Sequence, residues 1–345
     1  MPQETTTAVD RARSVIGLNT AYFRAKVMQT AVELGVFERL AEGPAPAGTL
    51  RDDLGVKHRL FPEFLDVLCE LGLLERDGTD YRNSDLASEF LVPGTSTFLG
   101  GTARQHANMH YHAWGKLTEA MREGKATSPV ANLGPVAYPT FYQDLDKARH
   151  VMAHMDAHNG FTADELAREI DWSRYRSFAD IGGARGNVAA RIALAHPHLT
   201  GEVFDLPALE PLANELLKDL GVADRVRFTG GDFFTDLMPA VDVLILGHVL
   251  ADWPTETRLD LLDRAYAALS PGGTIVIYDA MIDPGGEQLD TLLQRINSAI
   301  IRDDNSQYSV SECQGWLAAA GFRDGRALRT DTITRDHFVI AVKPN

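Results

Sequence analysis

A turn rich in glycine is the clearest candidate for ligand binding. The stretch FADIGGARGNVAARIALAHP holds an apolar run, then Gly182, Gly183 and Gly186, then a helical pattern. Glycines in such a turn let the backbone bend tightly and approach a ligand closely. Asp205 ends the next apolar run, VFDLP, nineteen residues after Gly186 (205 minus 186). An acidic side chain at this place can hold the ribose hydroxyls of a nucleoside, so the pattern predicts a nucleoside site.

The residue before the turn indicates which nucleoside is bound. Asp180 is a fixed carboxylate that would repel a pyrophosphate but attract a cationic amino-acid moiety. S-adenosyl-L-methionine carries an ammonium and a sulfonium and no phosphate, so we predict it as the cofactor. Asp232, in GGDFF, can accept a hydrogen bond from an adenine amine, and Phe233 can pack on the ring. The predicted cofactor-binding set also includes Leu206 and His248.

Histidines are concentrated on two predicted helices. RQHANMHYHAWGK contains His106 and His110, and ARHVMAHMDAHNGF contains His150, His154 and His158. Residues four apart share a helix face, and an imidazole can act as a base near neutral pH. We take His154 and His110 as candidate catalytic bases, although each could instead be solvated or hydrogen-bonded to the core. Such pairs can also hold zinc or iron, but no carboxylate stands at ligand spacing, so no metal is predicted.

Short apolar runs alternate with helical patterns from residue 171 onward. Helical segments are predicted at 186–196, 208–220 and 255–269, between runs such as GEVFDLP, VDVLILGHV and GTIVIYDAM. Such alternation indicates crossover units and a parallel sheet. The run HFVIAVK, after the helix SECQGWLAAAG, adds one more strand. We therefore predict an α/β domain over 171–345.

The region before this domain is predominantly helical. Residues 12–40 predict one helix, and the following stretch predicts two short helices and a hairpin around RDGTDYRN. This order is typical of a winged helix, which serves DNA binding in some proteins and dimerisation or packing in others. Residues 1–100 form the predicted N-terminal helical and winged-helix domain. Residues 101–170, with helices at 103–123 and 141–169, form the predicted helical linker.

The amino-acid composition distinguishes DNA binding from dimerisation and limits the kinds of partner that we expect. The formal net charge is −15, whereas a chain that neutralises phosphates needs a basic face. Nucleic acid and anionic membrane surfaces are therefore not expected as partners, and the winged helix is expected to serve dimerisation. The two cysteines, Cys69 and Cys313, stand in no paired motif. The polar start and the lack of a long apolar run predict a cytoplasmic protein without a transmembrane segment.

The chain as a whole resembles bacterial small-molecule O-methyltransferases of the caffeate and acetylserotonin type, in the branch that modifies polyketides and antibiotics. The stretches that carry the resemblance are AVELGVFERL, LGLLERDGTDYRNS, WGKLTEAMREGK, DIGGARGN, VFDLP, GDFFTD, GHVLADW, PGGTIVIYDAMID and AAAGF. It implies a homodimer built through the N-terminal domain and a Rossmann-like class I methyltransferase domain with a mostly parallel seven-stranded sheet. Ala184 stands where the family's loop has its third glycine, which is a first departure from the family's pattern.

A second departure concerns the catalytic base. The family's HDW motif, whose histidine takes the proton from the substrate hydroxyl, is Ala251-Asp252-Trp253 in this chain. The family's supporting carboxylates correspond to Asp279 and to Gln307. We predict Asp252 and Asp279 as further catalytic residues. Because a phenol is mostly neutral at pH 7, O-methylation without this histidine needs another base.

Three alternatives follow from the alanine. Another residue serves as the base, or the acceptor is an acidic hydroxyl, a carboxylate, an amine or an electron-rich carbon and needs no base. In the third alternative the cofactor is bound without methyl transfer. We expect a dimeric methyltransferase acting on a small aromatic or heteroaromatic acceptor, with oxygen as the family's default and nitrogen or carbon as the alternative. The predicted acceptor-binding residues are Tyr22, His106, Trp114, Met155, His158, Trp253, Asn297 and Arg295.

Overall fold

The computed structural model describes residues 7–95, 97–131, 137–282, 289–303 and 307–345. The chain divides into two compact units, Met1–Asn108 and Met109–Asn345. Separate clusters of buried apolar side chains stabilise the first unit and the second.

The first unit begins with three helices, α1 (Ala8–Asn19), α2 (Tyr22–Leu34) and α3 (Val36–Ala41). The prediction of one helix over 12–40 is therefore wrong. Gly35 ends α2 because it adopts a left-handed conformation, with φ 76°, that helical residues do not adopt. Thr7 and Asp10 form a capping box that fixes the start of α1, and none of the residues of α1 is buried.

A small three-stranded sheet follows in the first unit, and its strand order is β1-β3-β2. The hairpin predicted around RDGTDYRN is confirmed, with Leu74–Asp77 paired antiparallel to Asp80–Asn83. The remaining elements are β1 (Ala45–Pro46), α4 (Ala47–Asp53), α5 (Phe61–Glu70), β2 (Leu74–Asp77), β3 (Asp80–Asn83), α6 (Asp85–Phe90) and α7 (Gly100–Gln105). Two short helices followed by a hairpin match the predicted winged-helix order.

A π-helical turn, His106–His110, leads to the helices that precede the large sheet. These are α8 (Tyr111–Gly115), α9 (Leu117–Glu123), α10 (Ala137–Phe141) and α11 (Leu145–Glu169). The helix predicted over 103–123 is thus divided into several short pieces. The predicted loop ending in VAYP is also wrong at its end, because α10 begins at Ala137. Pro139 is compatible with this because a proline in the first helical turn removes no hydrogen bond.

The second unit is built on a seven-stranded sheet with the order β6-β5-β4-β7-β8-β10-β9. The first five of these strands are parallel, and β10 is antiparallel to both of its neighbours. The strands are β4 (Ser177–Ile181), β5 (Thr200–Asp205), β6 (Val226–Gly230), β7 (Val243–Gly247), β8 (Thr274–Asp279), β9 (Arg323–Arg329) and β10 (His337–Val342). The predicted mostly parallel, Rossmann-like sheet is confirmed.

Alternate side chains of the central strands bury themselves on opposite faces of the sheet. In β7, Leu244 and Leu246 belong to one apolar cluster, whereas Val243 and Ile245 belong to the other. A sheet with both faces covered by helices requires this continuous apolar pattern. The covering helices are α12 (Asn187–Ala195), α13 (Glu210–Asp219), α14 (Thr255–Ala268) and α16 (Val310–Ala319), whereas α15 (Leu289–Ile301) packs against α8.

The strand order reverses at β4, which lies between β5 and β7. Ligands of open α/β sheets bind in the crevice beyond the carboxyl ends of the strands at such a point. The glycine turn after β4 and the ADW stretch after β7 therefore meet at this edge. Within the described part of the chain, no helix is long and apolar enough to cross a membrane.

Candidate active site

The predicted glycine turn connects β4 to α12 and is shaped by close contacts. Gly182 and Gly186 have positive φ values of 72° and 84°. A Cβ on Gly182 would lie 2.8 Å from Val249 Cγ2, and one on Gly186 would lie 2.7 Å from Val203 Cγ2. A side chain on Gly183 would meet the Asp180 carboxyl at 2.7 Å. The three predicted glycines are thus required by backbone conformation and close packing.

Ala184 occupies a left-handed conformation, with φ 51°, inside this turn. Its backbone N–H donates to Asp205 Oδ2 at 2.7 Å, and the N–H of Leu206 donates to Asp205 Oδ1 at 2.7 Å. The Ala184 methyl group is buried in an apolar cluster with Met152 of α11. The alanine is therefore accommodated by packing, and the turn directly orients the Asp205 carboxylate.

The two predicted carboxyl groups of this turn lie in an unusual electrostatic environment. Burial raises the pKa of Asp180 to about 7, and the charge of Asp205 contributes further. Burial also raises the pKa of Asp205 to about 6, although the N–H groups of Leu206 and Ala184 act in the opposite direction. Asp180 Oδ2 is buried and has no hydrogen-bond partner within the described residues. A cationic ligand would compensate both carboxylates.

A cavity of about 90 Å³, the first cavity, opens beside the glycine turn. It brings together nine of the predicted site residues, from β4, β5, α11 and the segments after β6 and β7. These are Gly182, Asp205, Leu206, Asp232, Phe233, His248, Asp252, Trp253 and Met155. The donors, acceptors and rings around it fit a nucleoside with a cationic side arm.

A cavity of about 140 Å³, the second cavity, is also lined by the segment that follows β7. Its walls contain Ala251 and Asp279, together with polar side chains from α15 and from the segments before α16 and β10. Those polar residues are Gln294, Ser298, Gln307, Tyr308 and Thr334. The second cavity is therefore more polar than an ordinary apolar acceptor pocket.

His248 and Asp252 are the two residues that line both cavities. Ala251 lies between them in the chain and lines the second cavity only. The two cavities therefore share a wall made from one imidazole and one carboxylate. A group transferred from one cavity to the other would pass this wall.

His248 is held between two carboxylates. Its Nδ1 lies 3.3 Å from Asp279 Oδ1, and its Nε2 lies 3.4 Å from Asp336 Oδ1. Burial lowers the pKa of His248, but the charges of Asp336 and Asp279 outweigh burial and raise this pKa well above its usual range. His248 also has a positive φ of 52°, and its backbone N–H donates to Tyr278 O at 2.9 Å. The imidazole thus has a carboxylate oxygen within ion-pair distance on each side, which favours its protonated form.

The two carboxylates that hold His248 have their own donors. The Tyr308 hydroxyl donates to Asp279 Oδ2 at 2.6 Å. Thr162 of α11 and Thr334 donate to Asp336 Oδ2 at 2.9 and 2.7 Å. Asp336 is completely buried. This network fixes His248 from four separate segments of the chain: α11, the end of β8, and the segments before α16 and β10.

Asp252 is fixed by groups that the sequence analysis did not identify. The Tyr138 hydroxyl donates to Asp252 Oδ2, and burial together with the charge of Asp252 raises the pKa of Tyr138 well above its usual range. The Arg302 guanidinium lies 3.8 Å from Asp252 Oδ1 and over the rings of Tyr138 and Trp253, at 5.6 and 5.9 Å. Tyr142, one helical turn after Tyr138, also lines the first cavity. The spacing of these two tyrosines was the available signal.

The candidate histidine bases are grouped but do not line either cavity. The ring centroids of His110 and His154 are 6.3 Å apart, and those of His154 and His158 are 4.9 Å apart. The His150 side chain lies outside the described side chains. Within the described residues, no group of three or more histidine, cysteine and acidic side chains could hold a metal ion.

The other predicted acceptor-binding residues occupy several places. Trp114 Nε1 donates to Asn297 Oδ1 at 2.9 Å, so these two polar groups engage each other. Arg295 is half-buried on α15. His106 Nδ1 lies 2.9 Å from Thr102 O, and burial lowers the pKa of His106. Tyr22 is exposed on α2 and packs edge-on against Phe23. Their roles in binding the acceptor stay predictions.

Two sequence profiles match most of the chain. The O-methyltransferase domain matches residues 114–323, and the O-methyltransferase dimerisation domain matches residues 17–93. With the Rossmann-like sheet and the glycine turn, these matches define an S-adenosylmethionine-dependent methyltransferase. The chain belongs to the O-methyltransferase family.

Individual relatives agree with this assignment over nearly their full lengths. The N,N-dimethyltransferase OxyT of Streptomyces rimosus is 53% identical over 336 residues, covering 97% of this chain and 98% of the relative. The tetracenomycin polyketide synthesis 8-O-methyl transferase TcmO of Streptomyces glaucescens is 40% identical over 96% of each chain. The crystal structure of human N-acetylserotonin methyltransferase in complex with S-adenosylmethionine has a TM-score of 0.86 and 25% identity, with full coverage of both chains.

Proposed function

We propose that this enzyme transfers methyl groups from S-adenosylmethionine to an amine nitrogen of a small aromatic natural product. The observation that carries the proposal is the wall between the two cavities, where Ala251 offers no base and His248 is bound by two carboxylates. The relative with 53% identity is an N,N-dimethyltransferase, which supports nitrogen as the accepting atom. Nitrogen thus replaces oxygen, the family's default, as the preferred interpretation.

The first cavity has the groups needed to hold the cofactor. Asp205, fixed by two backbone N–H groups, would accept hydrogen bonds from the ribose hydroxyls. The partnerless Asp180 Oδ2 and the two glycines Gly182 and Gly183, which carry no side chain, fit a ligand that brings a positive charge close to the backbone. Phe233 would pack on the adenine, and Asp232 would accept from its amine. When bound, S-adenosylmethionine supplies an electrophilic methyl group on its sulfonium.

The charges around the second cavity favour an amine over a phenol. A phenol must become an anion to attack, and the carboxylates of Asp252 and Asp279 would oppose that anion. A neutral imidazole at position 251 would relieve this problem in O-methyltransferases, but alanine cannot. An alkyl or benzylic amine attacks as a neutral molecule and is cationic at pH 7 before and after the reaction. The same carboxylates therefore stabilise its resting and product forms.

Aromatic side chains line the first cavity close to the shared wall. The rings of Phe234 and Trp253 meet edge-on at 4.7 Å, and Tyr138 packs beside Arg302. These rings line the first cavity and none lines the second, so they would exclude water on the cofactor's side of the transfer path. In this proposal proximity and orientation, rather than a histidine base at position 251, supply most of the rate enhancement.

We also propose that the enzyme works as a homodimer. The O-methyltransferase dimerisation domain matches residues 17–93. In α1 the apolar residues Val15, Ile16 and Leu18 each have an exposed fraction of 61% or more. The double substitution Ile16→Glu with Leu18→Glu should convert a dimer to a monomer in light scattering, whereas Arg13→Glu on the same helix should not. A wild-type chain that is monomeric at micromolar concentration would contradict this point.

The nitrogen proposal is tested by mass spectrometry with deuteromethyl-labelled S-adenosylmethionine and matched acceptors. Aromatic amines, benzylic amines and the corresponding hydroxyl compounds would be compared under equal conditions. We expect one or two labelled methyl groups on amines and none on the hydroxyl partners. Labelled hydroxyl compounds without labelled amines would overturn the proposal.

O-methylation of an acidic hydroxyl is the second candidate function. It is favoured by the 40% identical relative, which is an 8-O-methyl transferase. An acidic hydroxyl ionises without a base, so the alanine at position 251 would not prevent its reaction. The same matched acceptors separate the two candidates, because only this one predicts transfer to hydroxyl compounds of low pKa.

A further inference from the structure

The walls of the second cavity present more hydrogen-bond acceptors than donors to a ligand. The hydroxyl hydrogens of Tyr308 and Thr334 are directed to Asp279 and Asp336. Gln307 Oε1 is buried and has no hydrogen-bond partner within the described residues. With the carboxylates of Asp252 and Asp279, the walls therefore present several strong acceptors. A ligand that donates several hydrogen bonds would complement this cavity.

The formal charges of the groups that line the second cavity also favour a cationic ligand. The carboxylates of Asp252, Asp279 and Asp336 face the cations of His248 and Arg302. The charged groups that line the cavity are His248, Asp252 and Asp279, and they sum to one negative charge. Arg302, Asp336 and Arg258, which also acts on Asp279, do not line it and together carry one positive charge. Carboxylates that are withdrawn from water gain most from a cation placed between them.

His248 determines how the Asp279 carboxylate is presented. Both ring nitrogens face carboxylate oxygens, so no nitrogen remains to take a proton from an acceptor. The Tyr278 ring packs edge-on against the imidazole at 5.2 Å, which leaves the ring little freedom to turn. Asp279 accepts from Tyr308 on one oxygen and faces His248 with the other. Each oxygen keeps a second lone pair for a ligand in the cavity.

We propose that His248 is a positioning residue that holds the Asp279 carboxylate to receive the ammonium group of a cationic amine acceptor. This inference rests on the proposed transfer to nitrogen and adds that the second cavity selects the acceptor as a cation. An N–H bond of the ammonium breaks, its electron pair stays on nitrogen, and the proton passes to an oxygen of Asp279 and then to water. The nitrogen lone pair then forms the N–C bond, while the C–S bond breaks and leaves its electron pair on sulfur.

Binding of two isosteric probes tests this selection without requiring turnover. 1-Naphthylmethylamine is a cation at pH 7, and 1-naphthalenemethanol is its neutral counterpart. Each is titrated calorimetrically into the full chain saturated with S-adenosylhomocysteine. We expect the wild-type chain to bind the amine about tenfold or more tightly than the alcohol, which corresponds to a charge-assisted interaction.

Substitutions then separate positioning from general stability. Asp279→Asn should bring the amine-to-alcohol affinity ratio close to one, and His248→Gln should lower the ratio while alcohol binding changes little. A purely structural role of His248 would weaken both probes equally. Asp260→Asn removes the same charge from the exposed face of α14 and should leave the ratio unchanged. If His248→Gln does not fold, His248→Gln with Asp336→Asn removes the remaining buried carboxylate and is measured instead.

The outcomes also distinguish this inference from the proposed function. A wild-type ratio near one, or a high ratio that survives Asp279→Asn, overturns the inference. A chain that methylates amines but has a ratio near one keeps the proposed function and loses the cation selection. A ratio that depends on Asp279 and His248 supports the inference, and the labelled-methyl experiment then decides separately whether nitrogen is methylated.

Discussion

Asp279 Oδ1 lies 3.3 Å from His248 Nδ1, so the carboxylate at the end of β8 supports a histidine three residues before Ala251. The resemblance to O-methyltransferases implies that this carboxylate supports a histidine at position 251. In this chain the supporting charge is therefore retained, while its partner comes from the preceding residues of the same segment. The same imidazole is held from its other side by Asp336, at 3.4 Å.

The ion pairs of His248 with Asp279 and Asp336 predict a specific pH dependence of stability. Because the pKa of His248 is raised in the folded chain, its contribution is fully present below about pH 6.5 and is lost as the pH rises through the folded-state pKa. His248→Gln should lower the free energy of unfolding by about 1 to 2 kcal/mol at pH 7, less than for a fully buried pair because a third of the imidazole is accessible. Urea unfolding at pH 7 and pH 10 measures this difference. A difference that grows with pH would contradict the account.

Asp180 predicts how cofactor affinity changes with pH. Its pKa of about 7 means that the free chain carries a neutral carboxyl below pH 7, whereas a cationic ligand needs the carboxylate. Affinity for S-adenosylmethionine should therefore rise about tenfold between pH 6 and pH 8, relative to Asp180→Asn. The pKa of Asp205, about 6, acts in the same direction at lower pH. Calorimetry at a series of pH values tests this, and equal profiles for the two chains would exclude the role of Asp180.

Gly247 is predicted to be essential for the wall between the cavities. A Cβ at this position would lie 1.9 Å from Tyr278 Cζ, directly before His248. Gly247→Ala should lower the free energy of unfolding by about 2 to 3 kcal/mol and weaken cofactor binding. Gly315→Ala is the matched control, since no heavy atom lies within 4 Å of its added methyl group and α16 should gain about 0.5 to 1 kcal/mol. Thermal unfolding of both variants is the measurement, and a Gly247→Ala chain as stable as the wild type would refute the packing argument.

The histidines of α11 and of the π-helical turn test whether either helix supplies the general base. His110 and His154 lie near each other but line neither cavity. His110→Ala and His154→Ala should each retain turnover within a few-fold, whereas loss of a general base costs about a hundredfold or more. Steady-state rates with the acceptor found by mass spectrometry decide this. A hundredfold loss with unchanged cofactor affinity would show that one of them is the base.

The cofactor side of the site was predictable because its signals are local. A glycine turn between a strand and a helix, followed by Asp205, encodes its own geometry within about one crossover unit. The strand β9 (Arg323–Arg329) was missed because four of its seven residues are charged and all but one are exposed, as is usual for an edge strand. Gly35 was visible as a helix end, but the apolar pattern of 12–40 continued through it.

The wall between the cavities was not predictable from local pattern. Tyr138 and Asp252 are 114 residues apart in the chain, and their hydrogen bond exists only because α10 packs against the segment after β7. Arg302 and Asp336 likewise come from distant segments. His248 was expected to contact the cofactor or to pack, and its position between two carboxylates depends on the register of β8 and β10. In the sequence, only Ala251 indicated that this region differs from the family's HDW motif.

The atom that receives the methyl group is the central claim, and a single acceptor with two nucleophiles tests it most directly. An aminomethyl naphthol would be incubated with deuteromethyl-labelled S-adenosylmethionine, and the product would be fragmented in the mass spectrometer to locate the label. The account predicts one or two labelled methyl groups on nitrogen and an unlabelled hydroxyl, in the wild type and in His154→Ala. Label on the oxygen, with the amine unmodified, would contradict it.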